Sequence, residues 1–239
     1  MSVRRRLAHT DPTGHNRPDR PCPNGQTTQF GPGSGAPCAQ SGCYHGNHVS
    51  GIAVGNGDQD SVEFSGVAKG ANLIGVQVFQ YVNGGLYTFW SDLIAALEWV
   101  YEQRSTIDIA SVNMSLGNLS AHFSGPCDDD PMKPIIDNLR AAGIATVVAS
   151  MNNGYKDGMS TPACISSTVS VGATGRTDQV ASFSNLSQHT SLLAPGVDIV
   201  SSVLNGAYGN GAVFATLPCS GTTCSGNAWW ATGSLPAGK

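Results

Sequence analysis

Charge is what this sequence has least of. Asp, Glu, Lys and Arg make up only 12% of its 239 residues, about half of the roughly 25% usual in soluble domains. Twelve Lys and Arg stand against sixteen Asp and Glu, for a net charge of −4. That balance leaves no basic stripe for a nucleic-acid partner. Arg4-Arg5-Arg6 is the one basic cluster, and it reads as a solvated terminus. No apolar run approaches the roughly 18 residues of a membrane span. An export signal is not expected either: the first 20 residues start basic, but His, Asp, Pro and Arg fill the place of its apolar core. None of the seven cysteines form a C-x-x-C pair, so zinc-ribbon and dithiol redox chemistry have no ligand spacing.

What is there is glycine, 30 residues of it, and cysteines set in Gly/Pro/Ser-rich loops. That combination suits disulfide staples in a compact extracellular protein. Seven is odd, so at least one cysteine lacks a partner within the chain. Residues 1–40 show little periodicity and are expected to be irregular. Residues 45–54 mix small and apolar residues at helical spacing and stop at Gly55-Asn56-Gly57. Residues 72–79 (NLIGVQVF) and 107–114 read as buried strands. Ser91 is placed to cap a helix running to about Arg104, with Leu93, Ile94, Leu97, Val100 and Tyr101 on one apolar face. The run Asp128-Asp129-Asp130-Pro131 predicts the start of another helix, which Gly143 would end. Residues 144–149, 169–173 and 199–203 read as further strands. Apolar strands alternating with helices predict a parallel sheet covered on both faces.

Three segments carry candidate chemistry. In His45-Gly46-Asn47-His48-Val49-Ser50-Gly51 a histidine opens a helix of small residues. Its ordinary pKa near ~6.5 suits a base that turns acid within one cycle. The competing readings are two partly buried polar residues, or a metal pair three residues apart that lacks further ligands. Ser111–Gly117 (SVNMSLG) is a core strand that turns polar at its exit. Asn152, in Ser150-Met151-Asn152-Asn153-Gly154, follows the strand IATVVA. An amide at a strand's carboxyl end can donate into a cleft, although Asn-Asn-Gly is also an ordinary turn.

Taken in order, these segments resemble the subtilisin-like serine proteases. HGNHVSGIAVG resembles that family's histidine segment, with Asn47 and Ser50 as small departures. The resemblance implies His45 as general base, Asn152 as oxyanion donor, and Ser115, Leu116 and Gly117 as substrate contacts. Met151 stands where the family has glycine, and would be strained if its φ were positive. Ser182-Phe183-Ser184-Asn185 and Leu193-Ala194-Pro195-Gly196 add matches in order and spacing. The implied fold is α/β, a three-layer α/β/α sandwich with a mainly parallel sheet, occupying residues 41–239. Cys127 and Cys164, which flank the third helix–strand unit, are expected to pair. No cofactor is implied as a requirement. Calcium is implied as a stabiliser, with no site assignable and no metal ligand nominated. The expected partner is a polypeptide, and the protein a secreted monomer.

Two parts of the family pattern are missing. A Ser/His/Asp mechanism needs an aspartate to orient the histidine and a serine to attack. Asp11 and Asp19 lie in polar, Pro-rich surroundings and read as solvated loop residues. Ala231-Thr232-Gly233-Ser234 resembles the nucleophile motif with a residue missing, which nominates Ser234. The expectation is a partial catalytic domain lacking its first strand and C-terminal helices. Two rivals stay open: a non-catalytic scaffold that at most binds extended peptides, and a metal protein using His45 and His48.

Overall fold

The computed structural model describes residues 45–55, 65–82 and 85–204, with the strand backbones at 212–216, 219–220 and 223–224. The segment 1–40 and Ser234 lie outside the described residues, as do Asp11 and Asp19.

The elements run α1 (His45–Val54), β1 (Gln80–Val82), β2 (Gly85–Tyr87), α2 (Trp90–Gln103), β3 (Ser111–Met114), α3 (Lys133–Ala141), β4 (Ala145–Ala149), β5 (Val169–Thr174), β6 (Leu192–Pro195), β7 (Val200–Leu204), β8 (Ala212–Thr216), β9 (Cys219–Ser220) and β10 (Thr223–Cys224). The central sheet is four-stranded in the order β3-β4-β5-β6, and every pairing is parallel. Its register pairs Met114 with Val148 and Ala149 with Val171. Pleat alternation then sorts the side chains. Met114 and Val148 join the main core with Leu93, Leu97 and Val100 of α2 and Ile135, Ile136 and Leu139 of α3. Ala149 and Ala173 face the other way, into a cluster with Ala181 and Phe183 against which Val49 of α1 packs. Helices therefore cover both faces, giving the three-layer α/β/α arrangement. Each fully buried Leu, Ile or Val contributes about 1.5–3 kcal/mol.

Several boundaries differ from expectation, each for a local reason. Residues 107–110 stay outside β3 because β4 begins only at Ala145, opposite Ser111. Residues 72–79 form no strand of their own. Only Gly75 makes a bridge, while Val78 is held by packing on the core. Ser91 does not cap α2: Phe89 holds the extended cap backbone without a side-chain bond, and Ser91 Oγ lies 3.5 Å from Asp92 Oδ1. Pro134, not Pro131, occupies the first turn of α3, and Asp130 Oδ1 accepts from the Met132 N–H at 2.9 Å. Gly143 does end α3, at φ +80, a conformation that costs a residue without a β-carbon little. The fifth expected strand forms as β7, but it pairs antiparallel with β8, apart from the parallel sheet. β6 was not expected.

Cys127 and Cys164 form a disulfide across 37 residues. The Cys127 N–H also donates to the Cys164 carbonyl at 3.0 Å. The bridge ties the approach to α3 to the turn that precedes β5. Replacing both cysteines with serine should lower the unfolding free energy by about 2–4 kcal/mol. Urea denaturation under non-reducing conditions would show it, and an unchanged midpoint would mean the loop is held by its hydrogen bonds alone.

Candidate functional site

The site is built at the carboxyl edge of the parallel sheet. α1 is short, and its small residues decide where it sits. A β-carbon at Gly51 would fall 2.3 Å from Ser202 Oγ and 2.4 Å from Ser201 Oγ, so only glycine permits this contact with β7. The same serines grip the helix. Ser201 Oγ donates to the His48 carbonyl at 2.6 Å and Ser202 Oγ to the Asn47 carbonyl at 3.1 Å. At the other end, the N–H groups of Gly66, Val67 and Ala68 meet the carbonyls of Gly55, Ile52 and Ala53 at 2.8–2.9 Å. These bonds satisfy carbonyls that a helix end leaves open.

This clamp sets His45 on the first turn, half-buried. Burial pushes its imidazole down to about 3, and the neighbouring His48 pushes the same way. His45 is therefore neutral at pH 7, the form that can accept a proton, but its basicity is low. His48 is fully enclosed. Burial lowers its titration too, opposed by a hydrogen bond with the backbone at Ile199. Among the described residues no group of three His, Cys, Asp or Glu side chains could hold a metal ion. The metal-pair reading of His45 and His48 finds no third ligand there. Asp128 is engaged by Ser166, Asp130 by Met132 and Thr161, and Asp137 by Lys133.

Asn152 comes off the end of β4, three residues past Ala149. It is buried, and its Oδ1 is enclosed without a hydrogen-bond partner. Such an atom costs about 1–3 kcal/mol, which marks a side chain not placed for stability. Met151 before it has φ +82, so the strain foreseen for a non-glycine residue is present. The loop is held by a residue the sequence reading noted only for alignment. Asn185 is fully buried. Its Oδ1 accepts from the Asn153 N–H at 2.9 Å and the Tyr155 N–H at 3.1 Å. Its Nδ2 donates to Asn153 Oδ1 at 3.1 Å, and its own N–H donates to the Met151 carbonyl at 2.9 Å. Lys156 closes the loop: its ammonium donates to the Ser184 carbonyl at 2.8 Å and the Ser182 carbonyl at 3.2 Å. No periodicity could have found these two; an Asn in a polar run carries no signal of burial.

Ser115, Leu116 and Gly117 leave β3 beside this loop. Ser115 is buried and its Oγ accepts from Asn113 Nδ2 at 2.9 Å. Leu116 packs on the main core. Since Met114 pairs with Val148, Gly117 and Met151 each lie three residues beyond a matched pair, and the two exits are level. Ser115–Gly117 and Asn152 thus follow neighbouring strands at one edge, and α1, which His45 opens, reaches the cluster that includes Ala149 through Val49.

A family model described as the subtilase family matches residues 28–227. The chain belongs to that family. It is similar to subtilisin NAT of Bacillus subtilis subsp. natto and to subtilisin E of Bacillus subtilis (strain 168). Each is 35% identical over 183 residues, which is 74% of this chain and 44% of the relative. This subtilase chain thus spans under half the length of those relatives. Among solved structures, a cold adapted subtilisin-like serine proteinase superposes with TM-score 0.56 at 26% identity, over 79% of this chain and 56% of that one. The protease domain of PatA, solved as a point mutant, shares the fold with TM-score 0.63 at 22% identity, over 82% of this chain and 63% of that one.

Two outcomes are expected of this subtilase site. Asn185→Ala strips partners from the Asn153 and Tyr155 N–H groups and should cost about 3 kcal/mol. Urea unfolding would measure it, with faster amide exchange at 153–155; a loss under about 1 kcal/mol would show that the loop holds itself. The second concerns acid. His45 binds a proton less readily folded than unfolded, where its pKa is near ~6.5. Its contribution to stability is full above pH ~6.5 and drains away as pH falls toward about 3, at no more than ~1.4 kcal/mol per pH unit. His45→Gln should flatten the fall in urea midpoint between pH ~6.5 and ~5, before the carboxylates begin to titrate.

Proposed function

We propose that the chain carries the core of a secreted serine endopeptidase that hydrolyses peptide bonds of polypeptides. The observation that supports this most is the placement of α1: the helix opened by His45 packs through Val49 on the small cluster that includes Ala149, in the strand that precedes Asn152. On this reading Ser234 is the nucleophile. His45 takes the hydroxyl proton as the serine oxygen attacks the scissile carbonyl, and later gives that proton to the leaving amine. Asn152 donates its amide N–H to the oxyanion, a contact worth about 10²–10³ in rate. Ser115, Leu116 and Gly117 would take the substrate backbone as an added strand. On this reading an aspartate is required to raise the basicity of His45. The disulfide and the low charge favour an oxidising, extracellular location. Among the described residues no helix is long and apolar enough to cross a membrane. The protein is read as a monomer requiring no cofactor.

The burial that lowers the basicity of His45 favours a second reading, a scaffold that binds extended peptides without turning them over. Labelling with a serine-directed fluorophosphonate, mapped by mass spectrometry, separates the two. An adduct on Ser234 that vanishes in His45→Ala supports the peptidase. No adduct in folded protein that still binds peptide supports the scaffold. With turnover in hand, Asn152→Ala should lower kcat about 10²–10³-fold while leaving KM within a few-fold.

A further inference from the structure

We propose that Met151 fills the space between the substrate-binding exit of β3 and the oxyanion residue, and so restricts the side chain beside the scissile bond to small residues such as Gly, Ala and Ser. The inference rests on the endopeptidase reading, but on observations of its own.

The ladder fixes the geometry. Gly117 and Met151 lie at the same level on neighbouring chain segments, because Met114 pairs with Val148. A β-carbon at Gly117 would come within 2.8 Å of Met151 Sδ, 3.0 Å of Met151 Cγ and 2.9 Å of the Thr161 carbonyl. The thioether therefore lies directly against Gly117, with the Thr161 carbonyl as a floor beside it. That floor is fixed from both sides. The Thr161 carbonyl accepts from the Asn118 N–H at 3.0 Å, and Ser160 Oγ lies 2.6 Å from both the Asn118 and Ala121 carbonyls, with one hydroxyl hydrogen to share between them. Met151 itself is 3% exposed, so its side chain fills a gap rather than lying over one.

Consider a peptide laid along 115–117 with its scissile carbonyl held by Asn152. The side chain of the residue bearing that carbonyl must pass between the exits of β3 and β4. Met151, immediately before Asn152, already occupies that passage. A small side chain fits beside the thioether, whereas an aromatic ring requires it to leave. The backbone cost points the same way. Methionine at φ +82 is strained relative to glycine by about 1–2 kcal/mol, so local stability does not explain its presence. Methionine's flexible stem softens the exclusion without removing it, and the discrimination expected is of the order of one or two buried methylenes, about 10–200-fold.

The test uses the full chain and two acylated tripeptide anilides, one with Ala and one with Phe donating the cleaved carbonyl. Hydrolysis is followed by anilide release, and binding of the matching peptide amides by tryptophan fluorescence. The expected result is a preference for Ala over Phe of at least about 10-fold. Met151→Gly should reverse or erase it, and Met151→Leu, which keeps the volume, should retain it. A protein that takes Phe as readily as Ala, or a folded Met151→Gly variant with the ratio unchanged, overturns the inference and leaves the peptidase reading standing. Should Met151→Gly fail to fold, a Met151→Ala variant that does not admit Phe better than the parent overturns it equally. Selective binding without hydrolysis would support the role of Met151 while the peptidase reading fails. Neither binding nor hydrolysis of either peptide would overturn both.

Discussion

The parallel ladder between β3 and β4 is the constraint on which the rest depends. Pairing Met114 with Val148 decides that the two chain segments leave the sheet at one height, and the candidate site lies just beyond that point. A slip of one residue would turn Val148 out of the helical core and bring Ala149 into it. The size difference between those residues is what forbids the slip: valine fills the α2–α3 side, and alanine leaves room for Val49 of α1 on the other. The sorting of side chains across the pleat thus positions Asn152 before any polar interaction is made.

Polar contacts then refine what packing has set. The loop after β4 cannot pair with a strand, so its backbone donors need another partner. One fully buried amide, Asn185, supplies it for two of them. The Lys156 ammonium holds the chain that carries Asn185 by its carbonyls. The result is a loop stiff enough to keep a methionine in a left-handed conformation and an enclosed, unmet amide oxygen at Asn152. Stabilising hydrogen bonds surround a few residues that are individually unfavourable, a distribution common where structure serves a site rather than itself.

Much of this was legible in the sequence, and what was missed has identifiable causes. α1, α3, β4 and β5 were readable because each has strong periodicity or a buried run with a clear stop, such as Gly143. The strand expected at 72–79 was apolar enough, but a strand exists only where a ladder partner lies opposite, and composition says nothing about that. β7 was found in place and misassigned in role, because sequence shows that a segment is extended and not which edge it joins. The hairpin of β1 and β2 was passed over although Asn83-Gly84 between its strands is a recognised turn signal. Of the site, His45 and Asn152 were nominated from motifs. The positive φ at Met151 was foreseeable as a strain, whereas its contact with Gly117 depends on the register of two strands that no local pattern encodes.

The grip of β7 on α1 has a consequence in time. The bonds from Ser201 and Ser202 to the helix span 153 and 155 residues of chain. A helix of ten residues is too short to persist in water by itself, and contacts of such long range form late in folding. During synthesis, the histidine emerges early but has nothing to hold it in place until the segment around residue 200 has also emerged. Until then the clamp on α1 is half-made, and the order of emergence separates the making of the helix from its seating.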